Sequence, residues 1–406
     1  MIVGWRCAVC GATLDVAAPH PFRCPRASAA DRHHVLHPLD AGAQPERHED
    51  PNPFVAYGRR LAWWAFARAN GMTDGACEAL TQELADGFVV TPFGPADQLG
   101  PDVWVKDETV NPGGSHKGRH LVTILLHLRA AEALRLVPGP RRSLAIASCG
   151  NAAIAAATLA ARADWPLDVF VPEWTNEAVV AHIEDLGATV ARCERRRSDP
   201  PGDPTVLRFR EAVDGGAIPF GVQGPENALC LDGGRTLGWE LADSGVALDR
   251  VLVQVGGGAL ATTVGWGLGP SVRLDAVQVE GCAPLARAWT RTAGLPVDEV
   301  PTRWSEVMTP WPDPQSVADG ILDDETYDWL GVFDVMRASG GRPVVVPESA
   351  VVAANELSRR AGYAVSATGS AGLAALLDDD EGQGRAAVLF TGASQPSAQR
   401  PVACHT

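Results

Sequence analysis

Lys106-Asp-Glu-Thr-Val-Asn-Pro-Gly-Gly-Ser115-His116-Lys117-Gly-Arg119 is where the fold of this chain is decided. An extended run, Val103-Trp104-Val105, leads into it, and a helical pattern over 121–133 leads out. Asn111-Pro112-Gly113-Gly114 between them is turn chemistry, and Ser115 is expected to cap the helix. That order puts Lys117 in a first helical turn beyond the carboxyl end of a strand, where α/β proteins bind ligands. All but two of the 34 basic residues are arginine; the two lysines are Lys106 and Lys117. Guanidinium stays protonated in proteins, whereas a desolvated lysine amine can lose its proton and condense with a carbonyl. Lysine kept inside so rigid a turn points to amine chemistry.

The same strand-to-helix grammar recurs on both sides. β-rich runs at 143–147, 169–171, 250–255, 276–279, 344–346 and 387–390 alternate with helical patterns at 152–163 and 175–186. Such alternation predicts an α/β fold with mainly parallel sheets. Residues 53–88 read as helical, with Trp63, Trp64 and Phe66 in an amphipathic pattern, and loops are expected at 137–142, 195–204 and 378–384. A length of 406 residues suggests two domains. The net charge of −15 argues against a nucleic-acid backbone or an anionic membrane surface as partner. It leaves room for a small anionic ligand held by local dipoles. No run reads as membrane-spanning, since the most apolar stretch, 144–161, is broken by Ser148-Cys149-Gly150-Asn151. The first residues lack the pattern of a signal peptide, and the nine cysteines are mostly scattered, so a reducing cytoplasm is the expected location.

Three more segments carry chemistry. Ala147-Ser148-Cys149-Gly150-Asn151 joins a strand to an Ala-rich helix, so its backbone N–H groups would face a carboxylate, and Asn151 is a cap or a ligand donor. Val253-Gln-Val-Gly256-Gly257-Gly258-Ala259-Leu260 also joins strand to helix, and its glycines let the backbone close on a phosphate. Gly256, Gly258 and Ala261 also satisfy G-x-G-x-x-A, with Glu280 at the end of the next strand, so a nicotinamide-dependent dehydrogenase is the competing reading. Val388-Leu389-Phe390-Thr391-Gly392 is a buried strand ending in a hydroxyl.

Residues 1–50 differ from the rest. Cys7-x-x-Cys10 and Cys24 stand among Pro, His and Ala, a pattern compatible with a zinc knuckle whose fourth ligand is His20, His33 or His34. A decayed, metal-free lobe is the alternative.

In combination, the segments resemble the fold-type II pyridoxal-phosphate enzymes: threonine synthases, threonine and serine dehydratases, cysteine synthases and the tryptophan synthase β-chain. The similarity runs from about residue 91 to 392. It rests on the lysine block and the Ser-x-Gly-Asn block, supported by Gly234-Arg-Thr236-Leu-Gly-Trp-Glu240 and by the small-residue helix beginning at Ala367-Thr-Gly-Ser-Ala-Gly. The cysteine-bearing start is similar to that of some threonine synthases. The resemblance implies two open α/β domains with the active site between them. The large domain takes 51–125 and 228–406, and the small one 126–227. It implies that Lys117 binds the cofactor aldehyde covalently and later moves the α-proton. Gly256, Gly257, Gly258, Ala259 and Leu260 would cradle the phosphate, Asn151 the ring's 3′ oxygen, and Thr391 the pyridine nitrogen. Ser115, Ser148, Cys149, Gly150 and Asn151 would receive the substrate.

A hydroxyl at Thr391 cannot keep that nitrogen protonated as a carboxylate would, which suits expulsion of a β-substituent better than transamination. His116 stands where Phe or Val is usual and is similar to the tryptophan synthase pattern. Gly118 replaces an Asp common after the lysine, and Ser366 stands where Glu is common. These departures leave the substrate open, and the missing Asp favours dehydratase-like elimination over threonine synthesis. The expected function is β-elimination or β-replacement on a small L-amino acid by a homodimeric enzyme. A catalytically inactive relative serving as a binding module is the remaining alternative.

Overall fold

Val251-Leu252-Val253 and Ala387-Val388-Leu389 are apolar at successive positions, so strands built from them need cover on both faces. The computed structural model, which describes residues 1–28, 31–200, 202–378 and 384–394, supplies it. The chain opens with β1 (Ile2–Cys7), β2 (Thr13–Asp15) and β3 (Leu36–Asp40), an antiparallel sheet with β1 in the middle. It next lays down β4 (Phe93–Pro95) and β5 (Val103–Asp107). It leaves to form a parallel sheet from β6 (Leu144–Ala147), β7 (Leu167–Pro172), β8 (Thr189–Cys193) and β9 (Ile218–Pro219), in the order β8-β7-β6-β9. It then returns with β10 (Arg250–Gln254), β11 (Arg273–Val279), β12 (Pro343–Val346) and β13 (Ala386–Phe390). The larger sheet runs β12-β11-β10-β13-β5-β4 and is parallel except for β4. Every residue of β10 and β13 is buried. Each such Val or Leu contributes about 1.5–3 kcal/mol through burial.

Small residues set the spacing around this sheet. The helix Ala367–Leu377 rides so close to β10 that a β-carbon at Gly372 would stand 3.0 Å from the Leu252 carbonyl oxygen. The Ala-rich helix Asn151–Arg162 accepts the Pro112–Gly114 turn in the same way: a β-carbon at Gly113, whose φ is +76°, would lie 2.6 Å from Ala155 Cα. That contact packs the turn ahead of the Lys117–Ala133 helix against the helix that begins at Asn151.

Several expectations are corrected. The helix cap position is His116, not Ser115, and it makes no side-chain capping bond; Ser115 is extended and forms a β-bridge with Gly392. Asn151 is the first helical residue and Gly150 the cap, again without a side-chain bond. The helical reading of 53–88 resolves into Pro53–Ala56, Ala62–Ala69 and Asp74–Leu84, with a 3-10 turn at Gly58–Arg60 and a break at Gly71, whose φ is +93°. The amino-terminal lobe is a sheet. The loop expected at 137–142 is irregular, the one expected at 195–204 is irregular at its described residues up to Asp203 and gives way to the Pro204–Asp214 helix at its last position, and most of the one expected at 378–384 lies outside the described residues. No helix among the described residues is long and apolar enough to cross a membrane.

Candidate active site

The two lysines have opposite fates. Lys106, at 1% exposure, ends in a closed charge network: its Nζ lies 2.5 Å from Glu240 Oε2 and 2.7 Å from the Thr91 carbonyl oxygen. Arg119 completes that network, its Nε 2.6 Å from Glu108 Oε2 and its Nη1 bonded to Glu240 Oε1 and Thr236 Oγ1. Burial raises the Glu240 carboxyl, but Arg119 and Lys106 outweigh it and hold it below its ordinary value. The Gly234–Glu240 motif therefore builds a structural clamp on the lysine helix.

Lys117, one half-turn before Arg119, instead opens into a cavity of about 1400 Å³. The same cavity is lined by Ser115, by Ser148-Cys149-Gly150-Asn151, by Gly256-Gly257-Gly258-Ala259-Leu260 and by Thr391. Backbone pairing fixes the Lys117–Thr391 relation: His116 donates its N–H to the Thr391 carbonyl at 3.0 Å, and Ala393 N–H reaches the Gly114 carbonyl at 2.8 Å. His116 Nδ1 meets that Thr391 carbonyl too, at 3.0 Å. A carbonyl only accepts, so Nδ1 carries the proton; burial keeps this imidazole neutral by holding it well below its ordinary range. Gly118 has no room for a side chain, since a β-carbon would stand 2.9 Å from the Pro112 carbonyl oxygen and 3.1 Å from Phe88.

The electrostatics favour a reactive amine. Burial lowers the Lys117 amine, while Asp323, Cys230 and Asp328 pull the other way. Burial in turn pushes the Asp323 carboxyl up to about 6 and that of Asp328 up to about 7. Asp323 borders the glycine loop, its Oδ2 2.5 Å from where a β-carbon at Gly256 would be, and Tyr327 closes over Gly257 in the same way at 3.1 Å. Asp323, Tyr327 and Asp328 were not found by sequence reasoning. They lie some 200 residues from Lys117 in an acidic stretch that carries no local signature.

The lining fits pyridoxal phosphate. Ser115 Oγ and Asn151 Oδ1 are buried without a hydrogen-bond partner among the described residues, which marks polar groups reserved for a ligand. The glycine loop excludes side chains where a phosphate would close on backbone N–H groups, and Gly258 adopts φ +96° to start the helix.

In the amino-terminal lobe the ligand atoms of Cys7, Cys10, Cys24 and His34 all lie within 4.8 Å of one another. Cys7 Sγ is 3.4 Å from His34 Nδ1, and Cys10 Sγ is 3.6 Å from Cys24 Sγ. Tetrahedral zinc with Zn–S bonds of about 2.3 Å places its ligand atoms roughly 3.3–3.8 Å apart, the length of these two contacts. Asp31 Oδ2 lies 2.9 Å from His34 Nε2, the outer partner that would fix the ring for ligation through Nδ1. Of the three histidines open from the sequence, His34 joins the cysteines. His20 stacks on Phe22, and His33 stacks on Trp304 and faces Glu325.

Comparison with known proteins identifies a family. The family model described as "Pyridoxal-phosphate dependent enzyme" matches residues 84–392. The chain is 27% identical over 322 residues to a phenylserine dehydratase of Ralstonia pickettii, covering 77% of this chain and 88% of the relative. It is 24% identical over 294 residues to a threonine synthase of Methanocaldococcus jannaschii, covering 68% and 66%. Its fold is similar to that of maize serine racemase, with TM-score 0.63, 19% identity, and coverage of 78% and 92%.

Proposed function

This chain belongs to the family of pyridoxal-phosphate dependent enzymes, and from that premise we propose that it eliminates the β-hydroxyl of a small serine- or threonine-like L-amino acid. Membership removes the nicotinamide reading of Gly256. The observation that carries the proposal is the meeting of one lysine amine, one glycine loop and one neutral hydroxyl, Thr391, around a single cavity. Pyridoxal phosphate, when bound, supplies the electron sink for chemistry at the substrate α-carbon. Gly256–Leu260 hold its phosphate, Asn151 its 3′ oxygen, and Thr391 its ring nitrogen. The loop Ser148–Asn151, with Ser115, receives the substrate carboxylate. Lys117 would take the α-proton and pass it to the departing β-hydroxyl, which leaves as water, and hydrolysis of the product would leave a 2-oxo acid and ammonia. In this reading a large domain takes 51–125 with 228–406 and a small one takes 126–227.

Charge separates this reading from threonine synthesis. The cavity wall carries Asp203, Glu280, Asp319, Asp323 and Glu348, besides Glu226 which Arg23 and Arg210 neutralise, against the cations Lys117 and Arg359. An acidic wall disfavours a doubly anionic phosphate ester and accepts a neutral hydroxyl side chain. With a panel of L-amino acids, ammonia and 2-oxo acid are expected from a β-hydroxy amino acid. Borohydride is expected to bleach the yellow protein and leave the cofactor attached to Lys117. Threonine formed from phosphohomoserine, with no ammonia from any hydroxy amino acid, is the result that would overturn the proposal.

Zinc at Cys7, Cys10, Cys24 and His34 completes the reading. Elemental analysis is expected to find one zinc per chain, and His34→Ala to lose it. The effect should reach the cavity, because Arg32 and His33 beside the cluster hold Glu325, 2.9 and 3.5 Å away, two residues from Asp323. Chelation should therefore lower the melting temperature and loosen the cofactor together. Metal-free protein with the parent's melting temperature is the contrary result.

A further inference from the structure

Gln254 is an amide at the end of a strand that is buried throughout, where any polar group must find partners. It is 4% exposed. Its Nε2 reaches the carbonyl oxygens of Thr368 at 3.1 Å, Gly369 at 2.8 Å and Leu389 at 3.2 Å, and Thr391 Oγ1 at 2.8 Å. Three of these partners can only accept. A flipped amide would set Oε1 against three carbonyl oxygens, so its orientation is fixed by the network. Nε2 shares its two hydrogens among these four acceptors, and an amide nitrogen does not accept, so the Thr391 contact can only be donation by Gln254 to the hydroxyl oxygen, whose own proton must go elsewhere. The Thr391 carbonyl is already taken by His116, and no described residue accepts the Thr391 hydroxyl proton. What remains for it is the cavity that Thr391 lines.

We infer that Gln254 is a positioning residue that locks the Thr391 hydroxyl as a hydrogen-bond donor toward the cofactor's ring nitrogen. The inference rests on the proposed cofactor site and adds what sets its electronic character. A nitrogen that accepts a hydrogen bond from a neutral hydroxyl stays unprotonated. With the hydroxyl rotor free, Thr391 could instead accept from a protonated ring. Gln254, two residues before the glycine run, thus couples the strand to the chemistry without touching the cofactor.

The test is a double-mutant cycle on holoenzyme loaded with pyridoxal phosphate labelled with ¹⁵N in the ring. In the parent, the ring ¹⁵N resonance is expected in the unprotonated, hydrogen-bonded range. Q254L is expected to move that resonance and to raise the cofactor dissociation constant about five- to tenfold, the size of one hydrogen bond. In a Thr391→Val background the same change should have no further effect on either readout. Purely structural damage would appear equally in both backgrounds and would overturn the inference, as would a protonated ring in the parent. Q254M keeps the side-chain length and replaces Q254L if the latter does not fold. Borohydride attachment at Lys117 reports separately on the cofactor site: attachment without the Gln254–Thr391 coupling sinks this inference alone, and failure of attachment sinks the proposed function.

Discussion

Lys117→Ala is expected to lower turnover of the amino-acid substrate by at least the roughly 10²–10⁴-fold that a positioned proton-transfer group supplies. The loss should be larger still, because the same amine holds the cofactor covalently. Lys117→Arg should fare no better, since guanidinium cannot give up its proton. Single-turnover release of 2-oxo acid measures the defect, and a small primary amine added to Lys117→Ala should restore part of the rate. Parent-like turnover in Lys117→Ala would falsify the role. A second signature is in stability. Asp323 at about 6 and Asp328 at about 7 lie above the ordinary 3.8, so the folded protein binds more protons than the unfolded chain between those values. Stability contributed by these carboxyls is present at low pH and falls as pH rises from about 4 through about 7. Lys117 opposes both shifts, so the fall should be larger and reach higher pH in Lys117→Ala, as denaturant melts across and above that window would show.

What the sequence made legible was whatever depends on neighbours along the chain. The strand–turn–helix around Lys117, the loop before Asn151 and the run Gly256-Gly257-Gly258 each state their geometry within a dozen residues, because turn chemistry and helix starts are local. The parallel sheets followed from the alternation of elements. What stayed hidden depends on distant pairing. β3 joins β1 by pairing Leu36–Asp40 with residues about thirty or more positions back, and β2 is only three residues long, so neither shows a usable period. The Asp323–Asp328 stretch borders the glycine loop only because the chain returns there after β11. Gln254 did leave a trace: one amide in Val-Leu-Val-Gln-Val, in a strand that has to be covered on both faces, calls for a reason. Scarcity drew equal attention to Lys106 and Lys117, but scarcity cannot tell an amine that reacts from one that is neutralised. Their surroundings do, and those come from Glu108, Thr236 and Glu240.

That distinction yields the second large effect: Glu240→Gln is expected to destabilise the protein by about 3–5 kcal/mol, the usual consequence of breaking a buried ion pair from one side. Lys106, Arg119, Glu108 and Glu240 carry balanced charge with side chains at 0–1% exposure, so no water is at hand to replace a lost partner. Removing the Glu240 charge leaves Glu108 to face two cations. Neutralising Lys106 as well should recover much of the loss, because Arg119 and Glu108 then remain a balanced pair; K106M/E240Q is therefore expected to unfold nearer the parent's denaturant midpoint than E240Q alone. Arg119 lies in the first turn of the helix that begins at Lys117. Loosening its clamp should tilt the amine away from the glycine loop, so E240Q holoenzyme is expected to release its cofactor faster than the parent under conditions where both are folded. Two outcomes count against this chain of cause: an E240Q midpoint equal to the parent's, or a double variant worse than the sum of the two single ones. Either would mean that the four charges do not act as one unit and that the lysine helix is held by its apolar face alone.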